Sequence, residues 1–181
     1  MKLELIQYSH NAINSIYIYK DFLENKDQLL FYKNKIKEYT HSDQMNRGTN
    51  VKATMTDWCT LLKDKDFDFL HYKLLYTIYN TILLRSPGKL ADYKIYNSWG
   101  MKHCQGDGTI CHIHDFLFAG AFYLDVPCTT MIRFEDFNVE YPLEDNLFMF
   151  FPGYTKHAVS THTSESPRLS MAFNVIAEKD K

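Results

Sequence analysis

The spacing of apolar residues changes part-way along this chain and divides it into a helical and a strand-rich part. From about Asp66 to Leu84, the residues Phe69, Leu70, Leu74, Ile78 and Ile82 recur at three- and four-residue intervals, the spacing that lines one face of a helix. Asp66 is placed to cap this helix and Ser86-Pro87-Gly88 to end it. A polar, lysine-rich segment from about Asn25 to Tyr39 reads as a further helix, preceded by the β-prone run Ile16-Tyr17-Ile18-Tyr19. Between the two, Thr40 to Asn50 is a polar loop holding Gly48, and Val51 to Trp58 is a short extended piece. After Pro87 the period shortens. Short β-prone runs bounded by turn residues follow one another: Tyr93 to Trp99, Thr109 to His114, Ala119 to Leu124, Thr129 to Phe134, Leu147 to Phe151 and Leu169 to Ile176. Several short strands after a helical half predict an α+β, mainly β architecture, a jelly roll with N-terminal helices packed on one face.

Composition narrows this picture. At 181 residues with 45% hydrophobic, the chain has enough material for one full core, and a second would be cramped. The expectation is a single domain over 1–181, with a helical N-terminal half at about 20–90 and a jelly-roll core at about 91–176. Thirteen Tyr and thirteen Phe favour strand-rich packing. A formal charge of −2 supplies no field that would hold nucleic acid or membrane non-specifically. Lys52, Lys63, Lys65 and Lys73 are dispersed among acids, so duplex nucleic acid is not an expected partner. The start MKLELIQYSHNAINS lacks a signal peptide's apolar core, and no stretch approaches the roughly 18 apolar residues of a membrane span. The expected location is therefore the cytoplasm, where Cys59, Cys104, Cys111 and Cys128, which have no framework-like spacing, stay free thiols.

The candidate chemistry lies among the strands. In an extended segment residues i and i+2 point the same way, so His112 and His114 can close on one ion. Asp115 faces the other side unless the chain turns after His114. His157, after the run Leu147 to Phe151, supplies a third imidazole, and Arg168-Leu169-Ser170 follows it. A His-x-carboxylate pair with a distant His is the facial triad of non-heme Fe(II) oxygenases, with positions left open for oxygen and an organic ligand. Here histidine stands where the carboxylate would be. Imidazole suits Fe, Zn, Cu and Ni alike, so the substitution keeps metal affinity and changes the charge of the site. Asp115 and His162 remain alternative ligands, His162 from the polar run Ser160 to Ser166. A structural zinc built from His103, Cys104, Cys111 and His112 lacks the paired Cys-x-x-Cys spacing of such sites.

These blocks carry a family resemblance. The segment from His112 to Pro127, His-Ile-His-Asp-Phe-Leu-Phe-Ala-Gly-Ala-Phe-Tyr-Leu-Asp-Val-Pro, resembles the first block of the 2-oxoglutarate- and Fe(II)-dependent oxygenases of bacteria and phages. Phe151 to His157 and Arg168 to Asn174 are similar to that family's second and third blocks, and the match runs in order over roughly residues 93 to 175. It implies a double-stranded β-helix of cupin-like type. It implies His112, His114 and His157 as metal ligands, with Arg168, Ser170 and Tyr123 as cosubstrate-binding residues. A guanidinium forks onto a carboxylate with two parallel hydrogen bonds and a hydroxyl adds a third donor, which is the chemistry such a role needs. The implied cofactors are Fe(II), 2-oxoglutarate as cosubstrate and O2. The implied reaction is hydroxylation of a small molecule or protein side chain with release of succinate and CO2. Phe116, Phe118, Tyr96 and Trp99 are candidates to wall the pocket. The chain differs from the family at two points: Gly100 and Met101 follow Trp99 where members often carry asparagine, and Ala119-Gly120 replaces Ser-Gly.

Two other readings stay open. A cupin-type metalloenzyme with three histidines, using oxygen without a keto acid, is favoured by the missing carboxylate but has no need of Arg168-Leu169-Ser170. A non-catalytic jelly-roll binding protein would hold a structural metal or none.

Overall fold

A computed structural model describes residues 1–6, 14–41, 49–82 and 89–178. Among these, in chain order, lie strands β1 (Lys2–Ile6) and β2 (Ile16–Lys20), helix α1 (Lys26–Tyr39), strands β3 (Val51–Lys52) and β4 (Thr54–Met55), and helices α2 (Thr60–Lys63) and α3 (Asp68–Thr81). Strands β5 (Tyr93–His103), β6 (Gly108–His112), β7 (Phe118–Asp125), β8 (Met131–Phe134), β9 (Val139–Pro142), β10 (Leu147–Pro152), β11 (His157–Val159) and β12 (Arg168–Ala177) complete the set. They form two antiparallel sheets, ordered β1-β2-β10-β7-β12-β5-β4 and β3-β6-β11-β8-β9. The architecture is the α+β, mainly β jelly roll that the periodicity predicts.

Strand alternation separates two cores. Ile16 and Ile18 of β2, Leu147 and Met149 of β10, and Ala119 and Tyr123 of β7 point between the sheets, where they meet Ile132 and Phe134 of the smaller sheet. Tyr17, Tyr19, Phe148, Phe150, Phe118, Phe122 and Phe173 point the opposite way and pack against Tyr32 and Ile36 of α1 and Leu70, Leu74 and Ile78 of α3. The central strands are thus buried on both faces and read as unbroken apolar runs. Gly120 of β7 belongs to the helix-side face, where a Cβ would fall 2.4 Å from the Phe173 ring, so only glycine leaves that ring its place.

The helices need some correction. Asn25 caps α1 by accepting hydrogen bonds from the backbone N–H groups of Asp27 and Gln28. The second expected helix begins later than Asp66. A 3₁₀ turn at Lys65–Phe67, capped by Asp64, precedes α3, so Asp66 is inside that turn and caps nothing. Phe69, expected on the buried face, is 52% exposed, and His71 and Thr77 take buried positions instead. Leu84, the stop signal Ser86-Pro87-Gly88 and the middle of the polar loop with Gly48 lie outside the described residues.

The strand register also goes beyond the apolar runs. β5 continues through Gly100 to His103, because the glycine admits the Ile36 side chain of α1, 2.8 Å from where a Cβ would stand. β1, β9 and β11 escaped the pattern. β1 is an edge strand with Leu3 and Leu5 exposed, β9 ends in a proline, and β11 has three residues. Among the described residues, no helix is long and apolar enough to cross a membrane.

Candidate metal centre and its pocket

His112 closes β6 and His157 opens β11, and the two are Cα partners across the smaller sheet. His114 lies two residues past β6, where its backbone N–H donates to the Gly153 carbonyl at 2.7 Å. Gly153 is required there: a Cβ would come within 2.1 Å of the Phe116 carbonyl oxygen and 2.7 Å of that of His114. The 112–116 segment keeps strand alternation beyond the ladder. Cys111, Ile113 and Asp115 are exposed, whereas His112, His114 and Phe116 turn inward. The ligand atoms of His112, His114 and His157 all lie within 4.8 Å of one another, and Asp115 is outside this group.

The imidazoles are prepared for a cation in two ways. Nδ1 of His112 and Nδ1 of His157 each lie 2.9 Å from a backbone carbonyl, of Ile110 and Thr155 respectively. A carbonyl only accepts, so each Nδ1 carries the proton and each Nε2 presents its lone pair, the arrangement typical of metal-ligating histidine. Burial also disfavours the charged form: it draws His157 down to about 3 and His114 to about 4, with the neighbouring imidazoles adding to the effect, and lowers His112 as well. All three are neutral bases at pH 7.

Along the inward face of β12, Asn174, Ala172, Ser170 and Arg168 descend from the histidine level to the far end of the barrel. Arg168 is 1% exposed, and its Nε and Nη1 have no hydrogen-bond partner. The Oγ of Ser170, its neighbour on that face, is equally unsatisfied. Tyr123 pairs with Ser170 on the adjacent strand, and burial pushes its phenol up to about 12, partly opposed by Arg168, so it remains a protonated donor. His103 is the cross-strand partner of Arg168; both its ring nitrogens are orphaned, and burial together with the Arg168 charge holds it neutral. Leaving a guanidinium dry and unpaired costs several kcal/mol. The hydroxyls of Ser170 and Tyr123 and the ring of His103 place further polar groups on the strands beside it.

Inside the histidines lies a narrow cavity lined by Trp99, Met101, Ala121, Phe151 and Ala172, and by Tyr123 from the group around Arg168. Outside the histidines it opens into a cleft of about 750 Å³ walled by Trp58, Tyr96, Trp99, Ile113 and Phe116. Three of the four expected wall residues are there. Phe118 is not: it is fully buried on the helix side of the larger sheet.

The remaining candidates take other parts. His162 is fully buried away from the histidine group, its Nε2 donating to the Ser166 carbonyl at 2.7 Å and its Nδ1 3.4 Å from Cys128 Sγ. Cys104 and Cys111 are exposed free thiols, and no cluster of His103, Cys104, Cys111 and His112 forms. His103 stands beside Arg168 and not in a zinc cluster, and Asn97, the asparagine that precedes Trp99, pairs with Asn174 in the cleft. The two-residue alternation from Trp99 reaches Asn97 and His103, and from Ser170 it reaches Asn174.

No protein-family model matches the sequence, and no curated sequence matches it. The fold does match solved structures. The viral collagen prolyl hydroxylase of Paramecium bursaria Chlorella virus 1, solved with 2-oxoglutarate, superposes at a TM-score of 0.68 with 13% identity over 88% of this chain and 94% of that one. A prolyl-4-hydroxylase of Pseudomonas putida gives 0.65 with 14% identity, covering 91% and 93%. HygX of Streptomyces hygroscopicus, with nickel and 2-oxoglutarate bound, gives 0.67 with 8% identity, covering 91% and 84%. At such identities the likeness establishes the shared jelly roll.

Proposed function

We propose that this protein is an Fe(II)- and 2-oxoglutarate-dependent dioxygenase that hydroxylates a substrate still to be identified, with release of succinate and CO2. The observation that carries this reading is the buried, unpaired Arg168 at the floor of a barrel whose mouth holds three neutral histidines. A three-histidine metal site alone has no use for that guanidinium. A dicarboxylate reaching from the metal to the floor does, because one carboxylate neutralises Arg168 while the other end meets the ion.

His112, His114 and His157 would hold the metal through Nε2. Arg168, Ser170 and Tyr123 would take the distal carboxylate, and His103 adds a ring N–H at the same end. The metal supplies oxygen activation and the keto acid supplies the electrons. The protein's own share is to fix the cosubstrate's length between ion and arginine and to line the cavity with apolar side chains that exclude water. That the neighbours named above include two prolyl hydroxylases, and proteins solved with 2-oxoglutarate or with nickel, supports the reading. His114 in place of a carboxylate favours a second reading, a three-histidine oxygen-using enzyme without keto acid.

Elemental analysis and keto acid titration separate the two. Alanine at His112, His114 or His157 should each lower metal occupancy. Arg168→Ala should weaken 2-oxoglutarate binding by roughly tenfold or more, as loss of a charge-assisted pair implies, with metal content unchanged. If the metal-loaded wild type shows no 2-oxoglutarate binding, the keto acid reading fails.

A further inference from the structure

The cleft outside the histidines contains a polar device that neither the metal nor the keto acid explains. Asn174, 2% exposed, donates through Nδ2 to Asn97 Oδ1 at 2.8 Å, and its own Oδ1 is buried without a partner. Both residues line the cleft. The shared hydrogen bond leaves one free acceptor, on Asn174, and one free donor group, on Asn97. Flipping both amides merely exchanges these roles, so the pair presents an acceptor beside a donor whichever way it is oriented. A group with the complementary pair, one N–H next to one C=O, would satisfy both.

The position excludes the keto acid's distal end as that group. Asn174 stands six residues along β12 from Arg168, about 20 Å at the rise of a strand. It is level with Ala119 of β7, at the histidine end of the barrel. The walls define the rest of the ligand. Strand pairing shifts between Asn174 and Val175, so that Tyr96 is an extra residue on β5 between Ile95 and Asn97. This bulge turns two successive residues, Tyr96 and Asn97, into the same cleft, which a regular strand cannot do. Tyr96 packs on Phe116 with ring centroids 5.4 Å apart, and Trp58 meets Trp99 edge-to-face at 4.6 Å. Among the described residues lining the cleft there is no Lys, Arg, Asp or Glu.

We propose that the Asn97–Asn174 pair recognises a secondary amide in an uncharged, apolar or aromatic peptide segment and so presents that segment to the metal. The inference rests on the oxygenase reading for its purpose but not for its test. A phosphate-bearing strand would find no cationic side chain among the described residues of the cleft, whereas a neutral peptide needs none. Buried polar pairs discriminate strongly, since a ligand lacking the matching groups leaves them unpaired.

Trp58 and Trp99 are the two tryptophans of the chain and both line the cleft, so their fluorescence reports occupancy directly. The full-length protein, without metal or keto acid, is titrated with acetyl-Gly-Phe-Gly-Phe-Gly-amide. Three comparisons accompany it: the same peptide with its Phe-Gly amides replaced by esters, the same with Glu for Phe, and uridine. A saturable change is expected with the neutral peptide, weaker by about tenfold for the ester and for Asn97→Ala, as the loss of one buried hydrogen bond implies. Asn174→Asp, nearly isosteric, should weaken it similarly. The glutamate peptide should bind more weakly than the neutral one. No saturable change, equal affinity for amide and ester, unaltered binding by both variants, or tighter binding of uridine than of peptide would each overturn the proposal. Peptide binding by a protein that takes up neither Fe(II) nor 2-oxoglutarate when each is supplied would instead overturn the oxygenase reading and leave this one standing.

Discussion

Replacing Arg168 should make the protein more stable and less able to bind an acid. Its guanidinium is buried with two nitrogens unpartnered, and exchanging such a charge for an apolar side chain of similar volume is often neutral or stabilising by about 1–4 kcal/mol. Thermal unfolding of metal-loaded Arg168→Met is therefore expected at or above the wild-type midpoint. Addition of 2-oxoglutarate at a hundred times the wild-type dissociation constant should stabilise the wild type by about 2.7 kcal/mol and the variant by about 1.4 kcal/mol or less. A variant that melts far below wild type would make Arg168 part of the scaffold. Gly153 invites the opposite experiment, because it touches no ligand yet sets where His114 lies. Its carbonyl accepts from the His114 N–H, and a Cβ would collide with the backbone at Phe116 and His114. Gly153→Ala should lower metal occupancy while the circular dichroism of the sheets persists; full occupancy would show that the segment adjusts freely. At this scale the histidine pair was legible because strand alternation alone aims both imidazoles inward. The isolation of Arg168 was not, since an arginine's partners depend on the neighbouring strands β5 and β7.

Among the elements, α3 and β5 hold the clearest pH sensor outside the metal group. His71 of α3 lies with Nε2 3.0 Å from the Ser98 hydroxyl of β5, and burial pulls its titration down to about 4, with Asp68 opposing. The unfolded chain protonates this residue near its ordinary 6.5, while the folded chain refuses the proton until about 4. Between those values unfolding takes up a proton, so stability is full above 6.5 and falls as the pH drops toward 4. Chemical denaturation from pH 7.5 to 4.5 should show this slope, and His71→Leu should reduce it; an unaltered slope would place the proton uptake elsewhere. α3 also shows what periodicity can and cannot decide. Leu70, Leu74 and Ile78 were read correctly as its buried stripe, but Phe69 belongs to the neighbouring row and faces solvent. The strands after residue 90 were legible because each buries two faces or one. β9 and β11 were not, because a strand of three or four residues shows too little alternation to be told from a loop.

Across the whole molecule, the jelly roll gathers three histidines at one end of the space between its sheets and buries Arg168 at the start of β12. The strand order brings His112, His114 and His157 together from β6, the segment that follows it, and β11, which is why their separation in sequence hides their closeness. Histidine at 114 would leave a divalent ion held there with its full charge, where a carboxylate would halve it. The decisive measurement is succinate production by the wild-type protein supplied with Fe(II), ascorbate, O2 and 2-oxoglutarate, with or without a substrate. The account predicts succinate formed in step with loss of the keto acid, abolished in His112→Ala and strongly reduced in Arg168→Met. Wild-type protein that holds Fe(II) yet converts no 2-oxoglutarate would contradict it.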